Sequence, residues 1–169
     1  MTVFEVYEPI EIPFTSTNNV KRINRDNTNE FLRNLVEEGI DKKQGCYIFC
    51  LRTGRGYSPW YVGKATKGIH QECMQDGKIR RYNEVLHDGK KGTPVMFFLL
   101  PGQRKNKAPT NTINEMEKFL IKAGYERNKD IMNTHHAKDD TWTIKGVSGK
   151  SGSGQSKKEE RDFKTMLKL

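Results

Sequence analysis

Glu117 is the acid in this chain whose surroundings call for an explanation. Read on a helix, its neighbours at i−4, i+3 and i+4 are Ile113, Leu120 and Ile121, so the carboxylate emerges on an apolar stripe. A carboxylate at the margin of a core pairs with a base or binds a metal, because burying it alone is expensive. The alternative is a boundary side chain that reaches sideways to water. Glu115, with Lys118 at i+3, reads as a solvated or capping acid. Two phenols, Tyr47 and Tyr61, stand in similar apolar contexts, with Lys64 three residues after the second. Tyrosines so placed are either β-favouring aromatics of a sheet or parts of a site. Gly45 and Gly63 beside them mark strand ends, or places where another backbone or a ligand comes close.

The elements that must carry these groups follow from periodicity. Residues 1–26, with Pro9 and Pro13, read as an arm holding at most a short strand near 3–7. Asn27 with Glu30 has N-cap spacing, Phe31, Leu32, Leu35 and Val36 recur at helical spacing, and Gly39 fits a stop; this predicts a helix over 28–38. Gly45-Cys46-Tyr47-Ile48-Phe49-Cys50-Leu51 predicts a buried strand with Cys46, Ile48 and Cys50 on one face and Tyr47, Phe49 and Leu51 on the other. Turn residues 52–56 return the chain into Trp60-Tyr61-Val62-Gly63 as a hairpin. A helix over 78–86 and a strand over 94–100 come next. Thr112 with Glu115 then opens a helix that carries Glu117 and ends near Gly124. Trp142-Thr143-Ile144 reads as an edge strand, 148–158 as a flexible Ser/Gly/Lys linker, and Phe163, Met166 and Leu167 as one face of a short final helix. The class is α+β: a three-stranded sheet with helices over its faces.

Composition narrows the setting. The chain has 169 residues, 34% hydrophobic and 30% charged, which suits one domain with some segments outside its core. The longest apolar run, 95–100, is strand length and far short of a membrane span. The opening residues lack a secretory pattern, and three cysteines argue against a disulfide framework, so a reducing, cytoplasmic location is expected. Thirty Lys and Arg against 21 Asp and Glu leave a net charge of +9, which suits a polyanionic partner or simply a solvated surface. No aromatic face opposes a basic one, so a membrane surface is the weaker partner. Gly149-Lys150-Ser151 lacks the earlier glycine of a phosphate-binding loop, Ile144 standing in its place. His135-His136, His70 with Cys73, and Cys46 with Cys50 lack the four ligands of a structural zinc site.

Gly45-Cys46-Tyr47, then Tyr61-Val62-Gly63-Lys64-Ala65, resembles the GIY-YIG endonuclease family, which includes the nuclease subunit of bacterial excision repair, certain homing endonucleases and some restriction enzymes. The run Glu117-Lys118-Phe119-Leu120-Ile121-Lys122 is similar to one in the repair nucleases. Cys46 and Val62 stand where the family usually has isoleucine, and the stretch after Gly63 is longer than is usual. The resemblance covers 45–133 and implies a three-stranded antiparallel sheet flanked by helices, with extensions at both ends: an arm and helix over 1–41, a nuclease-like domain over 42–147, and a basic linker with a short helix over 148–169. It implies hydrolysis of DNA, with RNA as the alternative substrate and a binding module with little or no catalysis as the alternative role. Glu117 would hold Mg²⁺ or Mn²⁺. Arg81 would clamp the phosphate, with Arg80 or Lys78 as substitutes, and Lys64 would add positive potential. Tyr47 or Tyr61 would orient or deprotonate the attacking water. Asn133 would fix the site's geometry, with Asn128 as its rival. Arg104, Lys105 and Lys107, together with Lys78 and Arg80, are the expected contacts to the nucleic-acid backbone.

Overall fold

The computed structural model describes residues 2–102, 106–132, 142–147 and 157–169. Seven strands and five helices are spread along them: β1 Thr2–Glu11, β2 Thr15–Thr17, β3 Val20–Arg22, α1 Arg25–Glu37, β4 Gly45–Thr53, β5 Gly56–Ala65, α2 Ile69–Glu72, α3 Asp76–His87, β6 Thr93–Pro101, α4 Thr110–Arg127, β7 Trp142–Ile144 and α5 Lys158–Leu167. The class is α+β, an antiparallel sheet flanked by helices. No helix among the described residues is long and apolar enough to cross a membrane.

The sheet is wider than the sequence predicts. Its order is β5-β4-β6-β1-β7. The hairpin β4–β5 and the strand β6 are the expected three, all antiparallel. The N-terminal segment, read as an arm, supplies ten-residue β1, antiparallel to β6 from Phe4↔Pro101 to Glu11↔Val95, and β7 adds to it in parallel. Proline at 9 is compatible because the β1–β6 register shifts between Tyr7 and Ile10, leaving no ladder bond to lose there. Residues 15–22 form a small separate hairpin, turned by Asn18 and Asn19 at positive φ.

Alternation along β4 divides the core as read from the sequence. Cys46, Ile48 and Cys50 meet Phe97, Leu99, Ile113, Met116, Leu120 and the α5 residues Phe163, Met166 and Leu167. Tyr47, Phe49 and Leu51 meet Phe31 and Leu35 of α1 and Tyr82, Val85 and Leu86 of α3. The sheet is thus sandwiched, α4 and α5 on one face and α1 and α3 on the other. Each large apolar side chain so buried contributes about 1.5–3 kcal/mol.

Helix ends depart from the sequence reading where a better cap lies upstream. Asn24, not Asn27, opens α1: its side chain accepts from the Asn27 N–H, and Asn27 returns the bond to the Asn24 N–H. Gly39 closes the helix at φ 66° as expected. Helix α4 starts at Thr110 after Pro109, so Thr112 is a buried helical residue and not the cap. It runs past Gly124 to Arg127, and Gly124 lies so close against Ile131 that a Cβ there would meet its Cδ1 at 2.6 Å. The predicted linker lies largely outside the described residues, and α5 appears with its predicted apolar face.

Candidate active site

The two glycines beside the tyrosines have separate reasons. A Cβ on Gly45 would sit 2.3 Å from the Leu99 carbonyl oxygen of β6, so there the close neighbour is a backbone. A Cβ on Gly63 would meet the Tyr47 ring and hydroxyl at 2.3–2.7 Å. Residues 63 and 47 are cross-strand partners, and the phenol of one fills the space left by the other. Tyr61, two residues before Gly63, shares that face; its ring centroid is 6.4 Å from Tyr47 and 5.8 Å from Tyr82 of α3. Tyr82 stacks on Phe49 at 4.4 Å and donates its hydroxyl to the Cys73 carbonyl, so it is the base on which the pair rests.

Cations surround the phenols. The Arg81 guanidinium lies 5.6 Å from the Tyr61 ring centre and the Lys78 ammonium 5.3 Å from that of Tyr47. Lys78 also donates to the Glu72 carbonyl at 2.6 Å, and burial lowers its pKa against the opposing charges of Glu72 and Glu117. Burial pushes the Tyr47 hydroxyl far above the ordinary phenol range. Tyr61 is raised less severely: burial lifts it, Arg81 pulls it back, and Glu117 lifts it again. Arg81 and Arg80 are adjacent but serve different places, since Arg80 turns into a groove against β3 and α1.

Glu117 comes to this cluster from the other side of the sheet. Its carboxylate lies 3.0 Å from the Lys64 ammonium, with the two side chains 18% and 40% exposed. Val62 packs in the α4-side core while Tyr61 packs in the α3-side core, so Lys64, at even spacing from Val62, leaves the strand on the α4 side. Groups from both layers meet because β5 is the outer strand of the sheet, and the site wraps its edge.

Polar side chains, of which the sequence pointed only to Asn128, fix that edge. Glu72 accepts from the backbone N–H groups of Thr66 and Lys67, both at 2.6 Å, and anchors α2 to the end of β5. Gln44 donates to the Thr66 carbonyl, accepts from the Ala108 N–H, and its backbone N–H meets the Asn106 carbonyl. Exposed Lys107 is thereby tethered next to the same strand end. Asn128 ends α4 and donates to the Pro59 carbonyl at 2.7 Å, tying the helix that bears Glu117 to the strand that bears Tyr61. Nearby, the Met132 N–H bonds the Trp60 carbonyl at a bulge in β5. Such residues lie in stretches that are merely polar by composition, and only the folded chain shows whom they meet. Asn133, Arg104 and Lys105 lie outside the described residues.

The donor set suits a hard cation that keeps most of its waters, since one carboxylate is all such an ion requires from the protein. Asn114, one turn before Glu117, has its Oδ1 buried with no hydrogen-bond partner among the described residues. No group of three or more His, Cys, Asp or Glu side chains is arranged as a metal cage among the described residues. Cys46, Cys50 and Cys73 are free and buried. Three cations (Lys64, Lys78 and Arg81) stand around the phenols with two carboxylates, Glu117 and Glu72, an excess of one positive charge that favours a phosphate over a neutral ligand. Comparison with known proteins returns no match for this chain among family models, curated proteins or solved structures.

Proposed function

We propose that this protein is a divalent-metal-dependent endonuclease of the GIY-YIG type, hydrolysing DNA phosphodiester bonds at the edge of β5. One observation carries the reading: Tyr61 and Lys64 of β5, Arg81 of α3 and Glu117 of α4 meet at one strand edge, although they come from opposite faces of the sheet. Glu117 would hold Mg²⁺ or Mn²⁺, which when bound neutralises charge on the phosphate. Arg81 presents a planar fork to the phosphoryl oxygens, and Lys64 and Lys78 add potential around them. Tyr61 is the phenol for the attacking water. Arg81 favours its ionised form, which takes the water's proton as the new P–O bond forms and the opposite ester oxygen departs. Tyr47, deeper and harder to ionise, supports Tyr61 and Gly63.

Supercoiled, linear, branched and single-stranded DNA, and RNA, incubated with and without Mg²⁺ or Mn²⁺, test this. Metal-dependent cleavage that disappears in Glu117→Gln supports it; equal cleavage by that variant refutes it. The Lys64–Glu117 ion pair and the raised phenols favour a second reading, a nucleic-acid-binding module of the same fold. Binding without cleavage on every substrate would select it.

A further inference from the structure

Arg22, Arg25 and Arg80 come from β3, α1 and α3 and line one groove of about 920 Å³. Their convergence is built into the backbone. Asn83 on α3 accepts from the Ile23 N–H at 2.8 Å and donates to the Ile23 carbonyl at 2.9 Å, while the Ile23 side chain is buried. Arg22 and Arg25 flank that clamped residue, Arg80 lies one turn before Asn83, and the Asn24–Asn27 box fixes the start of α1. All three arginines are exposed, and none has an ion-pair partner among the described residues, although Asp76 and Glu84 also line the groove. Rigid elements thus hold three guanidiniums, none of them ion-paired among the described residues, against two carboxylates around one space, and the positive excess favours a polyanion. Their planar donors match phosphate oxygens, and the two acids match the exocyclic amines of bases better than phosphates. Helix α3 turns Arg81 to the candidate site and the adjacent Arg80 to this groove.

Resting on the nuclease reading, we propose that this groove grips the backbone of the substrate nucleic acid away from the scissile phosphate, so that the strand crosses α3 between the two sites. The test uses the full chain carrying Glu117→Gln, with or without Arg22→Gln, Arg25→Gln and Arg80→Gln, and a charge-matched control carrying Arg33→Gln, Lys158→Gln and Lys168→Gln. Binding to a duplex of about 30 base pairs is measured across salt concentrations, with melting curves as a fold check. Each phosphate contact contributes about 0.9 to the log–log salt slope, so the groove variant should lose about 2 to 3 from it and the control less than about 1. An unchanged slope in the groove variant, or an equal loss in the control, overturns the proposal. Weakened binding to poly-glutamate with unchanged DNA binding overturns it in favour of an acidic protein partner. A parent that binds no nucleic acid overturns the nuclease reading, and the groove's role falls with it. If the triple variant fails to fold, single Arg80→Gln decides: a slope loss of about 0.9 upholds the proposal and no loss ends it.

Discussion

The Lys64 ammonium and the Glu117 carboxylate stand 3.0 Å apart, joining an edge strand to a helix on one face of the sheet. A part-exposed pair of this kind stabilises the fold by no more than about 1 kcal/mol, so its importance lies in charge. A cation arriving at Glu117 must displace Lys64. In Lys64→Met the apparent Mg²⁺ affinity should therefore rise, by up to about fivefold if ~1 kcal/mol of competition is removed. Cleavage at saturating metal should fall, because a cation near the phosphate has gone. Metal titrations of cleavage rate check both signs.

Gly63→Ala is predicted to be strongly damaging for a one-methyl change. Its new Cβ would overlap the Tyr47 ring at 2.3–2.7 Å, and the ring is walled in by the core. Overpacking of this kind costs about 1–3 kcal/mol. Tyr47→Phe should not rescue it, because ring carbons clash as well as the hydroxyl, whereas Tyr47→Leu should recover part of the loss. Urea unfolding of the four combinations gives the coupling energy; additivity would show that the two side chains do not compete for this space.

Burial raises the Tyr61 hydroxyl despite the Arg81 charge, so the phenolate is scarce at neutral pH. If the phenolate takes the proton, the cleavage rate rises about tenfold per pH unit between roughly pH 7 and 9. In Tyr61→Phe that dependence should flatten and the rate fall about 10²- to 10⁴-fold. A Phe variant that keeps both rate and slope removes Tyr61 from the chemistry.

Stability should fall in alkali. Tyr47, Tyr61 and Tyr82 all have folded values above the phenol's usual 10.0, so the folded state holds protons that the unfolded chain releases. Their contribution is complete below about pH 10 and is lost as pH climbs toward the folded values, by up to about 1.4 kcal/mol per pH unit per group. Lys78, lowered from 10.5, works in the opposite direction just below that range, since there the unfolded chain binds the extra proton. Unfolding free energies from pH 8 to 11 should show a net decline above pH 10, shallower in Tyr47→Phe. A flat profile would contradict the burial of these phenols.

Asn128→Ala removes the 2.7 Å bond to the Pro59 carbonyl and leaves that oxygen without its side-chain donor. A loss of about 1–2 kcal/mol is expected, with a smaller effect on substrate binding than on the rate. Denaturant midpoints and a split of kcat from KM check this.

Glu117 and the two tyrosines stood out because strand and helix periods fix which side chains share a face, whereas Lys64 stood out only by its spacing from Tyr61 and Arg81 only through the resemblance. Cys46, Ile48 and Cys50 separate from Tyr47, Phe49 and Leu51 as period two requires. What periodicity could not show is where strands sit in the sheet. Pro9 within β1 and Pro13 just after it made this stretch read as an arm with at most a short strand, and only pairing with β6 shows its full ten residues as a strand. The meeting of Glu117 with Tyr61 depends on β5 being outermost, a property of strand order and not of local pattern. Glu72 and Gln44 were silent for the same reason: their partners lie on other elements, and a polar residue in a polar stretch carries no signal of its own, while Asn128 stood only as the rival of Asn133.

The pairing of β1 with β6, Phe4 opposite Pro101, has a consequence for how the molecule is made. The hairpin β4–β5 can zip from its own turn, but β1 has to wait, unpaired, until nearly a hundred residues more have left the ribosome. Until then the apolar side chains of β1 and the flank of β6 are open to other chains. Assembly of this protein should thus be slow and sensitive to crowding during synthesis, with the central hairpin ordered well before the ends are sewn in.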